Sequence, residues 1–87
     1  MSTSLPVPAE AAVIHDSGDT CGGVLTGALT PILAPLPAGA MLLLLNTDPA
    51  APVDLRVWAK SQGHTFLGET VYEGLPGYFI RKGPDTQ

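Results

Sequence analysis

Thr20-Cys21-Gly22-Gly23-Val24 stands where an extended segment gives way to a long uncharged one, and its reading decides how the rest of the chain is arranged. It holds the only cysteine. With Thr20 or Cys21 as N-cap, Val24, Leu25, Ala28, Leu29, Ile32, Leu33 and Leu36 recur at three- and four-residue spacings, the pattern of one apolar helix face. Pro31 lacks a backbone donor and crowds the preceding turn, so this helix is expected to kink there or to divide into two short pieces. Pro35, Pro37 and Gly39 end it. A helix that starts beside the cysteine places bare N–H groups and the positive end of its dipole next to the sulfur, which favours the thiolate. A free thiol titrates near about 8.5, and such settings lower that to roughly 3.5–7.5. Gly22 and Gly23 leave the sulfur uncovered and are the candidate backbone nest for an anion. The other reading of a lone cysteine is a small buried hydrophobe.

Before this stretch, Ala11-Ala12-Val13-Ile14-His15 is a short apolar run with β-branched members, ended by the turn-forming Asp16-Ser17-Gly18-Asp19, and reads as a first strand. After it, Met41-Leu42-Leu43-Leu44-Leu45 has the pattern of a central strand covered on both faces, or of one edge of a packed layer. Asp48-Pro49 is a helix-start signal, and a second helix follows from Ala51 to Gln62, stopped by Gly63. Leu55, Trp58, Ala59 and Gln62 project along one side of it, with Arg56 and Lys60 on another and Val53 and Val57 half exposed. Residues 64–72 alternate loosely and read as a strand. A five-residue turn, Glu73-Gly74-Leu75-Pro76-Gly77, leads to the return strand Tyr78-Phe79-Ile80-Arg81. The order βαβαββ predicts an α/β (α+β) two-layer sandwich with two helices on one face of a four-stranded mixed sheet.

An 87-residue chain makes one domain with one modest core, and 45% hydrophobic against 14% charged residues is too apolar for disorder. We expect a flexible N-terminal tail over residues 1–10, a single domain over 11–83 and a C-terminal tail over 84–87. The net charge of −4, with four dispersed Lys and Arg, argues against direct nucleic-acid binding. A lone cysteine forms no internal disulfide, which suits a reducing cytoplasm. Residues 1–10 lack a basic n-region and carry Pro6 and Pro8, unlike a signal peptide. Residues 22–46 carry no charge, but Gly27, Pro31, Pro35, Pro37 and Gly39 break them into pieces too short to span a bilayer.

Taken in order, Gly18-x-x-Cys21, Pro37-Ala38-Gly39, Thr47-Asp48-Pro49-Ala50, Asp54-Leu55, Trp58, Gly63-His64 and the closing Tyr78-Phe79-Ile80-Arg81-Lys82-Gly83 resemble the TusA/SirA-like sulfurtransferases, a family of small cytoplasmic sulfur carriers. The resemblance covers most of the chain from Val13 onward and implies the same βαβαββ sandwich. It implies that Cys21 accepts sulfane sulfur as a persulfide from a donor protein, of the cysteine desulfurase or rhodanese type, and hands it to an acceptor protein. It implies no metal and no organic cofactor. A persulfide is more acidic than its thiol, so a helix N-terminus would hold it charged. Gly22, Gly23 and Val24 replace the prolines of the family's common Cys-Pro-x-Pro, and the chain resembles a divergent Cys-Gly branch. His15 stands where the family has an acidic residue and Thr20 where it often has a basic one. Asp16 and Asp19 would oppose thiolate formation.

Other residues carry a functional and a plain reading. His64 is a proton donor or sulfur-site partner, or it fixes a turn. His15, His64, Asp16 and Cys21 lack close metal-ligand spacing, and a Cys–His hydrolase needs a cleft that a chain of this length scarcely provides. Trp58 reads as core rather than ligand platform. Arg81 and Lys82 are an edge-strand solubility device or a basic rim for partner docking. Asp48 and Asp54 read as helix-start charges. The expected function is sulfur relay by a monomer or weak dimer, away from membranes and without direct nucleic-acid contact. The alternatives are a non-catalytic interaction or regulatory module of the same fold, and a thiol-redox switch.

Overall fold

The computed structural model describes residues 6–84. Its elements are a 3-10 turn (Pro8–Glu10), β1 (Val13–Asp16), α1 (Gly22–Leu33), β2 (Met41–Leu45), α2 (Ala51–Gln62), β3 (Thr65–Tyr72) and β4 (Leu75–Arg81). This is the expected βαβαββ order. The tails expected at 1–10 and 84–87 fall partly on residues 1–5 and 85–87, which lie outside the described residues. The sheet order is β1-β2-β4-β3, with β1 parallel to β2 and β4 antiparallel to both β2 and β3.

The run Met41–Leu45 is buried at every position because it lies inside the sheet, and successive side chains go to opposite faces. Leu42 and Leu44 join Tyr78 and Ile80 against Leu25, Leu29 and Leu33 of α1 and Ala51 and Leu55 of α2. Met41, Leu43 and Leu45 pack with Phe79 on the other face, flanked by Leu67, Tyr72 and Leu75. Burying one leucine contributes on the order of 1.5–3 kcal/mol, so this strand anchors both layers.

Three local readings are corrected. α1 runs unbroken through Pro31, which sits in its last turn on the exposed side, where a missing donor and an outward ring disturb little. Val24 and Ala28 are exposed rather than part of the packed face, which narrows to Leu25, Leu29 and Leu33 with Ile32 and Leu36 at its margin. The hairpin turn has two residues, not five. Glu73 and Gly74 both take positive φ (50° and 81°), Tyr72 pairs with Leu75, and β4 therefore begins three residues earlier than the alternation suggests. Two left-handed residues match the right-handed twist of the flanking strands.

Candidate functional site: the Cys21 loop and the cleft beside it

Cys21 is the N-cap of α1, in extended conformation, and its side chain is exposed. The buried reading of the lone cysteine is thereby set aside. Gly22 follows with φ +59°, a left-handed conformation that turns the chain sharply into the helix and that a residue with a Cβ adopts only at a cost.

A hydrogen-bonded clamp that the sequence reading missed holds the loop before the cysteine. Asn46 is buried, and its Nδ2 donates to Ser17 Oγ (2.8 Å) and to Thr20 O (2.7 Å). Its Oδ1 accepts from the Asp48 N–H at 2.7 Å, so one amide ties the cysteine loop to the loop that carries Asp48. Thr47 N–H donates to Gly18 O at 2.8 Å and closes the same seam. The available signal was a lone amide directly after five apolar residues, since a buried amide must be hydrogen-bonded on both ends.

The electrostatics differ from the expectation for a bare helix start. The Asp48 carboxylate beside the sulfur, by hydrogen bonding to the thiol and by its charge, is the main cause that pushes Cys21 above the ordinary thiol range. Loss of hydration, Asp54 and Asp19 add to it. The thiolate expected from the helix dipole is thus opposed by carboxylates, and Asp48 and Asp54 supply more of that opposition than the Asp16 named from sequence. Asp16 instead accepts the Gly18 N–H at 2.8 Å in the preceding turn. The proposed backbone nest is also altered. Gly22 N–H already donates to Asp54 Oδ2 at 3.2 Å, whereas Gly23 and Val24 N–H have no partner among the described residues. Asp54 is therefore more than a helix-start charge: it reaches from α2 to α1.

Beside Gly22 and Gly23 a cleft of about 390 Å³ opens between the helices, bounded by Thr26 on α1 and by Asp54, Val57, Trp58 and Ser61 on α2. Trp58 is half-buried against the core, with one edge in this cleft. Its ring meets that of His64 at a tilt of 42°, with centroids 5.3 Å apart. His64 Nδ1 accepts the Gly83 N–H at 3.0 Å, which puts its ring proton on Nε2. The turn-fixing reading of His64 fits this geometry.

Arg81 and Lys82 are placed away from the cysteine. Arg81 pairs with Met41 at the start of β2, while Cys21 follows the opposite end of the sheet, where Asp16 pairs with Leu45. β4 lies inside the sheet, so neither residue guards an edge. Lys82 is buried, its Nζ donating to Leu36 O (2.6 Å) and Ala34 O (3.0 Å) at the C-terminal end of α1. The docking rim expected there is corrected for Lys82, whose ammonium stabilises a helix end. Among the described residues, no group of three or more His, Cys, Asp or Glu side chains is placed to hold a metal ion, and no helix is long and apolar enough to cross a membrane.

Comparison with known proteins bears out the resemblance to TusA-like sulfur carriers over somewhat more than half of the chain. It is 40% identical over 50 residues to the sulfur carrier protein TusA of Pseudomonas savastanoi pv. phaseolicola (strain 1448A / Race 6), covering 58% of this chain and 60% of that one. It is 38% identical over 50 residues to TusA of Pseudomonas syringae pv. syringae (strain B728a), with the same coverage. It is 42% identical over 48 residues to YrkF of Bacillus subtilis (strain 168), which bears the provisional name of a sulfur carrier protein, covering 55% of this chain and 26% of that one. The chain thus spans at most 60% of the length of these relatives. No family model and no solved structure matches it.

Proposed function

We propose that the protein is a sulfur carrier in which Cys21 takes up sulfane sulfur from a donor persulfide and passes it to an acceptor protein. The observation that carries this reading is the exposed thiol at the N-cap of α1, together with similarity to proteins named as sulfur carriers. In the loading step the Cys21 thiolate attacks the outer sulfur of a donor R–S–SH. The donor S–S bond breaks as the new one forms, and the donor leaves as R–S⁻, which takes up the proton that Cys21 lost. No electrons are gained or lost overall, and unloading is the same step with the acceptor as nucleophile. The resulting persulfide anion lies near the N–H groups of Gly23 and Val24. Donors of the cysteine desulfurase or rhodanese type, a cytoplasmic setting, a monomer or weak dimer and no resident cofactor complete the reading.

A second reading, an interaction module whose chemistry has lapsed, is favoured by the carboxylates that hold the thiol proton. One measurement separates them. Reduced protein is incubated with a sulfane-sulfur donor and weighed intact. A gain of one sulfur atom that disappears in Cys21→Ala supports the carrier; no gain in the wild type overturns it.

A further inference from the structure

We propose that the cleft between α1 and α2 beside Cys21 is a docking site for a basic segment of a partner protein with apolar flanks, through which a donor or acceptor reaches the sulfur; this rests on the carrier reading. The shape comes from Gly22 and Gly23, where a Cβ would meet nothing within 4 Å, so the cleft mouth runs open to the cysteine. On its α2 wall Val57 is 67% exposed. Val57 lines the cleft itself. Single exposed apolar residues are ordinary, but Val57 and Trp58 on one wall, next to the acidic Asp54, form an apolar border for a partner.

The charge of the occupant follows from the groups that face the sulfur. Asp54 lines the cleft and accepts the Gly22 N–H, and Asp48, Asp54 and Asp19 all act on Cys21. A nucleic acid or a second copy of this chain, whose net charge is −4, would meet repulsion there. An arginine or lysine of a partner would meet complementary charge, and a guanidinium can take a carboxylate with two parallel hydrogen bonds. Such a cation offsets the carboxylates that hold the thiol proton. Cys21 is then slow in the free protein and more nucleophilic in the docked one, so sulfur moves fastest when a partner is present.

The probe is a blocked pentapeptide of alternating leucine and arginine, with a leucine–glutamate counterpart as control, added to the full chain. Two readouts are taken: backbone amide shifts, and the rate of Cys21 alkylation by neutral iodoacetamide at neutral pH. The arginine peptide is expected to raise the alkylation rate about threefold or more, since the thiolate fraction below the pKa rises tenfold per unit of downward shift. Shifts should centre on Gly22, Gly23 and Val57. Asp54→Asn keeps an oxygen for the Gly22 N–H while removing the charge, and it should abolish the gain; Val57→Ser should weaken it. Equal rates with both peptides, a gain that survives Asp54→Asn, or shifts confined elsewhere overturn the proposal. Sulfur loading from a small inorganic polysulfide needs no docking. Loading without a peptide effect would sink this proposal alone, and a peptide effect without loading would sink the carrier reading.

Discussion

The backbone N–H of Gly22 donates to the carboxylate of Asp54 at 3.2 Å, across a separation of 32 residues, and so joins the first residue of α1 to the first turn of α2. A helix start that would otherwise offer all its donors to an anion gives one of them to a fixed carboxylate. Cys21 consequently caps a helix start that has already given one donor to a carboxylate, and its thiol is opposed by further acidic side chains.

Removing the nearest acid should shift that balance. Asp48→Asn retains an acceptor for the Ala50 N–H, which Asp48 Oδ1 now receives at 2.7 Å, but takes away the charge beside the thiol. The Cys21 thiol should titrate lower than in the wild type, and alkylation at neutral pH should be faster. A pH series of alkylation rates reads both, and an unchanged midpoint would exclude Asp48 as the main cause.

Gly22→Ala places a Cβ on a residue with φ +59°. The variant should lose about 1–2 kcal/mol by denaturant unfolding, the usual cost of the left-handed conformation for a residue with a side chain. No neighbouring atom lies within 4 Å of the new methyl, so the loss should reflect backbone strain alone.

Lys82→Met keeps the aliphatic stem and removes the ammonium that serves Leu36 O and Ala34 O. Loss of charge-assisted hydrogen bonds from a buried site should cost about 1.5–3 kcal/mol. Sulfur loading of Cys21 in the folded fraction should be unaffected, since Lys82 lies at the far end of α1 from the cysteine.

His64 carries a pH dependence of stability. Burial, with the nearby Lys82 charge, holds it below the ordinary imidazole range. The neutral form is the one that accepts from Gly83, so the unfolded state binds more protons in the window below about 6.5, and stability falls as pH drops from there through the lower native value. Thermal unfolding between pH 7 and 5 should show this slope in the wild type. His64→Gln, which can still accept from Gly83, should flatten it.

Much of the fold is legible in local patterns. The leucine run and the Gly63 stop each depend on neighbours a few residues apart, and each stands where its pattern puts it; α2 starts at Ala51 as expected, but its N-cap is Ala50, and Asp48 closes the preceding turn by accepting the Ala50 N–H rather than capping the helix. The unbroken α1 and the two-residue hairpin were not legible, because an outward Pro31 in a last turn and a positive φ at Glu73 are settled by what surrounds them. At the site, Cys21 was legible from its glycines and its solitude. Asn46 was not, since its partners Ser17 and Thr20 are 29 and 26 residues away.

The sequence by itself determined the order of elements and the cysteine on which the chemistry turns, because helix and strand periods, caps and breakers act over a few residues of chain. Only the tertiary structure decided the electrostatic state of that cysteine and the work of Lys82. Charges and hydrogen bonds act through space, and the fold brings Asp48 and Asp54 to the sulfur while it sends the basic C-terminal residues to the opposite end of the sheet.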